Sequence, residues 1–255
     1  MVSGVTTWSI TQNGRYEPFE LQVARGQITG HSIANIFGYQ AAVGTGAPLP
    51  VWEVTSAYTY PVTATTMLLY SSSASDTNVN VTISGLDANF NPISEQLTLT
   101  NGVTGVTTVK SYLRIQSMVS NDNIFANPVG TLTLGNAGKT IVYARILPGI
   151  NRTQMSIYTV PAGYTLYLTR IDIFANEAGS GSNFANYQVY SKNNVTGQSF
   201  VVLQAPFLGN YNIVRVVPFP YTEKTDIQWQ VSVGTSTSPV GVNIEGILIA
   251  NDGAL

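Results

Sequence analysis

Cysteine is absent from the 255 residues, and histidine occurs once, as His31. The first absence excludes a disulfide framework and any thiolate metal site. The second removes most imidazole chemistry, including the multi-histidine metal sites of cupin-like barrels. Charge is scarce too: Asp, Glu, Lys and Arg make up 9% of the chain, where soluble domains carry about 25%. The formal net charge is −2 and no basic run exists, so nucleic acid is not an expected partner. The amino-terminal stretch MVSGVTTWSITQNGRYEPFE lacks the basic segment and apolar core of a signal peptide. No uncharged apolar run approaches the roughly 20 residues that cross a bilayer. A soluble chain made in a cytoplasm, with no membrane partner, is therefore expected, and the sequons at Asn80, Asn151 and Asn194 then carry no meaning.

What is present excludes disorder, because disordered chains combine low hydrophobicity with high charge. Here 44% of residues are hydrophobic and 10% aromatic. The surface must be covered by Ser, Thr, Asn, Gln, Gly and Tyr, or be buried against other subunits. A nearly uncharged surface resists self-association poorly, so the composition suits a chain that assembles.

Helical periodicity is nearly missing, and strand-length segments alternate with Gly, Pro, Asn, Asp and Ser clusters, the pattern of an all-β fold. In VNVTISGLDANFNPISEQLTLT, Val79, Val81 and Ile83 alternate with polar residues before a GLDANFNP turn, and Ile93, Leu97 and Leu99 mark the return strand. This predicts a β-hairpin. A repeat follows: Ser56–Leu68 and Ser156–Leu168 agree at six of thirteen positions at a constant offset of 100, among them Tyr58/Tyr158 and Pro61/Pro161. Both read as strand, proline turn, strand. Each half then supplies a hairpin-like segment and closes on an apolar strand, KTIVYARILPG or VGVNIEGILIAND. Duplication of a sandwich of about 100 residues accounts for this, and so does convergent use of turn residues. The expected architecture is two jelly-roll-like β-sandwich domains in tandem, residues 48–149 and 150–255, joined by LPGINRT and preceded by an extended amino-terminal arm, residues 1–47. In the second domain the buried face changes between Leu168 and Ile171, which predicts a bulge or a strand covered on both sides. Arg170 and Asp172 share one face there and can pair with each other or across a subunit boundary.

No stretch assembles a reaction centre. Gly30-His31-Ser32-Ile33-Ala34 imitates a nucleophile elbow, but its only imidazole is the serine's own neighbour, and an elbow takes its base from elsewhere in the fold. Asp87, Asn89 and Asn91 imitate the start of a calcium loop, yet the sixth position is Pro92 and the twelfth Thr98, where Gly and Glu are needed; a hairpin turn explains them better. No spacing singles out a pair among the 13 acidic residues for glycoside hydrolysis. Trp8, Trp52 and Trp229 could serve as glycan-stacking platforms or belong to the core. No cofactor, no metal and no enzymatic activity are expected.

An ordered set of segments, VARGQITGHSIANIFGYQ, VWEVTSAYTYP, SSSASDT, GLDANFNPISEQLTL, TTVKSYLRI, TQMSIYTVPAGYTLYLTRI and FPYTEKTDIQW, covers most of the chain from Val23 to Trp229. It resembles virion structural proteins of tailed bacteriophages, particularly those of marine and cyanobacterial hosts. The resemblance implies a non-enzymatic head-decoration (cement) protein on the capsid exterior, with the major capsid protein as partner and a homotrimer as its assembled state. It brings no catalytic residues. On this reading the arm lies on the capsid or a neighbouring subunit, anchored by Trp8, Tyr16 and Phe19; alternatively it adds edge strands to the first sandwich. Arg170 and Asp172 complete the expected contact residues. The competing function is a tail-fibre or receptor-binding component that recognises host glycans.

Overall fold

The alternation read along the chain becomes strand almost throughout. The structure, a computed structural model, describes residues 17–121, 128–175, 184–234 and 237–251. Among them one short helix, α1 (Phe19–Ala24), precedes sixteen strands. In chain order these are β1 (His31–Val43), β2 (Leu49–Pro50), β3 (Leu68–Ser71), β4 (Val79–Leu86), β5 (Pro92–Leu99), β6 (Val106–Thr107), β7 (Arg114–Ser120) and β8 (Leu132–Gly135). Then come β9 (Val142–Ile146), β10 (Ile157–Thr159), β11 (Tyr164–Ala175), β12 (Ala185–Asn193), β13 (Ser199–Phe207), β14 (Asn210–Tyr221), β15 (Thr225–Ser232) and β16 (Ser238–Ala250).

Two sandwiches result, and the all-β expectation holds. In the smaller one a sheet ordered β6-β3-β8-β9 accompanies a sheet ordered β5-β4-β7, around a core that includes Val81, Ile83, Leu99, Leu132 and Leu134. The expected hairpin is β4–β5, paired from Val79↔Leu99 to Leu86↔Pro92, with Val79, Val81 and Ile83 fully buried. In the larger sandwich the sheets are β1-β16-β11-β14 and β10-β15-β12-β13, with β2 also pairing to β15. Its core includes Leu166, Leu168, Ile171, Ile173, Trp229 and Val231. Eight strands ordered in this way form a jelly roll.

The connection differs from a simple tandem of sandwiches. β1 lies within the residues expected to form an arm, yet it pairs with β16 from His31↔Ile249 to Val43↔Ser238. The smaller sandwich is therefore an insertion between β2 and β10 of the larger one. β1 is held there by a face that is regular but hardly hydrophobic: Ala34, Ile36, Gly38, Gln40 and Val43 are its buried positions. Gly38 is required. A Cβ at this position would collide with the Val51 carbonyl and come within 2.7 Å of Ser156 Cβ, the points where the chain enters and leaves the insertion.

The two copies of the repeat fold differently. Ser156–Leu168 forms β10, the proline turn and the start of β11. Ser56–Met67 is irregular apart from a single bridge between Thr65 and Tyr112. There Tyr58 stacks edge-on between Trp52 and Tyr60, with ring centroids 5.0 and 4.9 Å apart, and its hydroxyl donates to the Tyr143 carbonyl at 3.0 Å. β15 pairs with the second copy, whereas the first packs as an aromatic cluster. LPGINRT is not a free linker: Ser120 N–H donates to the Asn151 carbonyl at 2.7 Å and Thr153 N–H to the Met118 carbonyl at 3.0 Å.

The change of buried face in β11 is a bulge. Leu168 and Arg170 pair with the adjacent residues Gly246 and Glu245 of β16, leaving Thr169 extra, and the Thr169 hydroxyl donates to the Glu245 carbonyl at 3.0 Å. Leu166, Leu168, Ile171 and Ile173 thereby all reach the core.

Candidate interaction surfaces

The jelly roll has one side covered by the smaller sandwich and one side left open. β15 determines the covered side. Its alternation puts Ile227, Trp229 and Val231 into the jelly-roll core and Asp226, Gln228 and Gln230 on the other face, yet Asp226 and Gln228 are buried as well. The smaller sandwich covers that polar face. Arg114 of β7 donates through Nε to Asp226 Oδ1 at 2.7 Å and through Nη2 to Asp226 Oδ2 at 2.9 Å, a two-pronged, charge-assisted pair. Asp226 also accepts from the Thr159 hydroxyl at 2.7 Å and the Asn194 amide at 2.8 Å. Arg114 spends its remaining donor on the Pro61 and Leu113 carbonyls, and its guanidinium carbon lies 4.5 Å from the centre of the Tyr60 ring. With side chains 8% and 2% exposed, the pair has all its polar capacity met inside the protein, the condition under which a buried ion pair is tolerated.

Further contacts extend this joint. The Gln116 amide donates to the Thr159 carbonyl at 2.5 Å and accepts from Thr159 N–H at 3.2 Å. The Asp87 turn joins in through its tip: Ala162 N–H, in the turn before β11, donates to the Phe90 carbonyl at 2.9 Å. Asp87 itself accepts from the backbone N–H groups of Asn89 and Asn91 at 2.8 and 2.9 Å, so the residues that imitate a calcium loop build a turn. Nearby, burial pushes the Glu53 carboxyl up from its ordinary 4.5 to about 7, against the opposing pull of the Gln154 N–H and of Arg145. One Glu53 oxygen accepts from that N–H, and the other is buried with no hydrogen-bond partner.

The open side is formed by β13 and β14, the last strands of the two sheets. Neither carries an acidic residue, and their only basic one is Arg215. β14 does not run straight: Leu168↔Phe219 and Arg170↔Val214 are consecutive pairs, so Arg215–Pro218 bulge out opposite the single residue Thr169. Val216 and Val217 stand on this knob, 98% and 79% exposed. Arg215 does not shield them, because its guanidinium lies over the Phe219 ring, 5.5 Å from the centroid. Beyond Phe219 a groove of about 470 Å3 opens between the two strands, lined by Phe200, Val201, Val202, Phe219 and Tyr221 among others.

Of the expected contact residues, Trp8 and Tyr16 lie outside the described residues. Phe19 sits on α1, 37% exposed, with its ring edge-on to His31 at 5.9 Å. Arg170 pairs with Asp172 at 2.9 Å within β11; the arginine side chain is 46% exposed and the aspartate 8%. Asp172 also accepts from the Asn212 amide of β14, so the pair is fastened within its own sheet. The structure does not bring Phe19 into contact with it. Trp52 and Trp229 are 1% and 0% exposed and offer no stacking face. His31 and Ser32 are consecutive on β1, so their side chains point to opposite faces of the sheet. Arg114, Asp226, Val216 and Val217 were not singled out by sequence reasoning. The alternation of TDIQWQV was the available signal for Asp226, and the run IVRVVPFP, with two prolines, was the signal for an edge strand.

No family model matches the chain, and no curated protein matches it. Among solved structures, a structure of the infectious bursal disease virus Gx strain is similar at a TM-score of 0.25 and 9% identity, over 88% of this chain and 72% of that one. A structure of the Gt strain gives 0.20 and 11%, over 93% and 79%. The VP2 subviral particle of the same virus gives 0.21 and 11%, over 88% and 73%. All three are structures of viral particles, and the similarity is weak.

Proposed function

We propose that this chain is a non-enzymatic virion structural protein that decorates a tailed-phage capsid from outside and cements it, working as a homotrimer with the major capsid protein as its partner. The observation that carries the reading is the open side of the jelly roll. A long, nearly uncharged edge with valines at 79–98% exposure is an aggregation hazard for a free monomer and an asset for a protein that ends up covered. The low charge of the whole chain and the ordered resemblance to phage virion proteins support the same reading. Apolar burial at about 25 cal/mol per Å2 becomes large when one contact is repeated around a shell, and threefold or quasi-threefold capsid positions suit a trimer. No nucleic acid, membrane or cofactor enters this function.

Titrating the purified protein onto expanded phage heads tests it. Saturation at a fixed ratio to the major capsid protein, with heads that then withstand more heat, is the expected result. Absence of binding at any concentration overturns the reading, and glycan-array binding in its place favours the receptor-binding alternative.

A further inference from the structure

The geometry points to one occupant for the open edge: a second copy of this chain, with the Arg215–Pro218 knob of one copy seated in the Phe200–Tyr221 groove of the next. This rests on the assembly reading above and names the surface that performs it.

Four observations carry the assignment. The first is area. Phe200, Val201, Val214, Val216 and Val217 are each at least 51% exposed. Together they offer on the order of 500 Å2 of apolar side chain, well over half of the roughly 800 Å2 per partner that a stable interface buries. The second is the missing protection. Edge strands that face water permanently carry charges, lysine above all, and the one charge here is turned back over Phe219. The third is shape. An apolar cavity of about 150 Å3 suffices for benzene, and the groove of about 470 Å3 has room for the valine side chains of a knob. The knob is followed directly along β14 by Phe219–Tyr221, one wall of the groove, so a knob cannot fold back into the groove of its own copy. The fourth is backbone chemistry. Pro206, Pro218 and Pro220 remove N–H donors from these two edges, which disfavours unlimited strand addition. Side-chain docking then forms the contact and ends it.

The absence of cysteine makes the test clean, because introduced thiols are the only ones present. Val216→Cys chains are mixed with Val201→Cys chains and oxidised mildly, and the products are separated without reductant. The expected product is a disulfide-linked dimer that needs both variants, and a chain carrying both substitutions closes into a covalent trimer. Val216→Lys is expected to reduce the assembly to single chains with unchanged circular dichroism, and with a Tm that no longer depends on protein concentration. Linkage only between two Val216→Cys chains overturns the groove as the occupant's seat. A wild-type multimer that neither cross-links nor responds to Val216→Lys also overturns the inference, while leaving the virion role standing. A wild-type monomer whose binding to expanded heads is abolished by Val216→Lys assigns the edge to the capsid instead. A double variant that closes only as a dimer supports the docking and contradicts the trimer of the proposed function.

Discussion

The outer face of β15 presents Asp226, Gln228 and Gln230, with the first two buried, while the strip along β14 presents Val214, Val216 and Val217 to solvent. Polar residues lie inside and apolar residues outside, in the same jelly roll. The difference lies in the partners. The β15 face has found its own, because the inserted sandwich supplies Arg114 to Asp226 and Tyr60 to Gln228. The β14 strip has none within the described chain. Burial thus follows the availability of a complementary surface, and a bare apolar strip beside a satisfied polar face marks where a further surface belongs.

Breaking the covered side should have the largest effect. Replacing Arg114 with Ala leaves Asp226 buried and uncompensated; such losses cost about 3–5 kcal/mol. Urea unfolding followed by Trp fluorescence is expected to show a loss of this size. Gly38→Ala comes next: the added Cβ pushes β1 away from Val51 and Ser156, at a cost of roughly 1–3 kcal/mol, readable in the same assay.

Glu53 sharpens the comparison through pH. With its carboxyl raised from 4.5 to about 7, the folded chain holds a proton that the unfolded chain has released. The stability this contributes is fully present below about pH 4.5 and is lost as pH rises through about 7. Tm is expected to fall by about 3–6 °C between pH 5 and pH 8, and Glu53→Gln to remove that slope. The smallest effect belongs to the open side: Val217→Ser should change the unfolding free energy of the single chain by less than about 0.5 kcal/mol, because the side chain has almost nothing to lose. A substantially larger loss would show that the knob is already supported within the chain.

Much of this architecture was legible in the sequence. The β4–β5 hairpin could be read because Val79, Val81 and Ile83 are strongly apolar and strictly alternate, and the β11 bulge because the hydrophobic phase shifts between Leu168 and Ile171. β1 escaped because its buried face is Ala34, Ile36, Gly38 and Gln40, regular in spacing but with little hydrophobic contrast, and because its partner β16 lies some two hundred residues away. A match such as Ser56–Leu68 with Ser156–Leu168 could not reveal that only the second copy's opening residues have a strand, β15, to pair with. The joint was out of reach for a related reason. Arg114 and Asp226 stand 112 residues apart; the alternation of TDIQWQV places Asp226 on the outer face of its strand, but nothing local there or in LRIQ distinguishes a clasp from an exposed charge. The open edge was half legible: the two prolines of IVRVVPFP mark an edge strand, but its hydrophobicity reads as core until the topology shows it to be last in its sheet.

Sedimentation equilibrium of the wild-type chain at micromolar concentration tests most directly whether that edge exists to be covered by its own kind. A species of about three times the 27.3 kDa chain mass, reduced to single chains by Val216→Lys, is the outcome required of a protein that assembles through β14. A wild-type chain that stays at 27.3 kDa up to its solubility limit would contradict it.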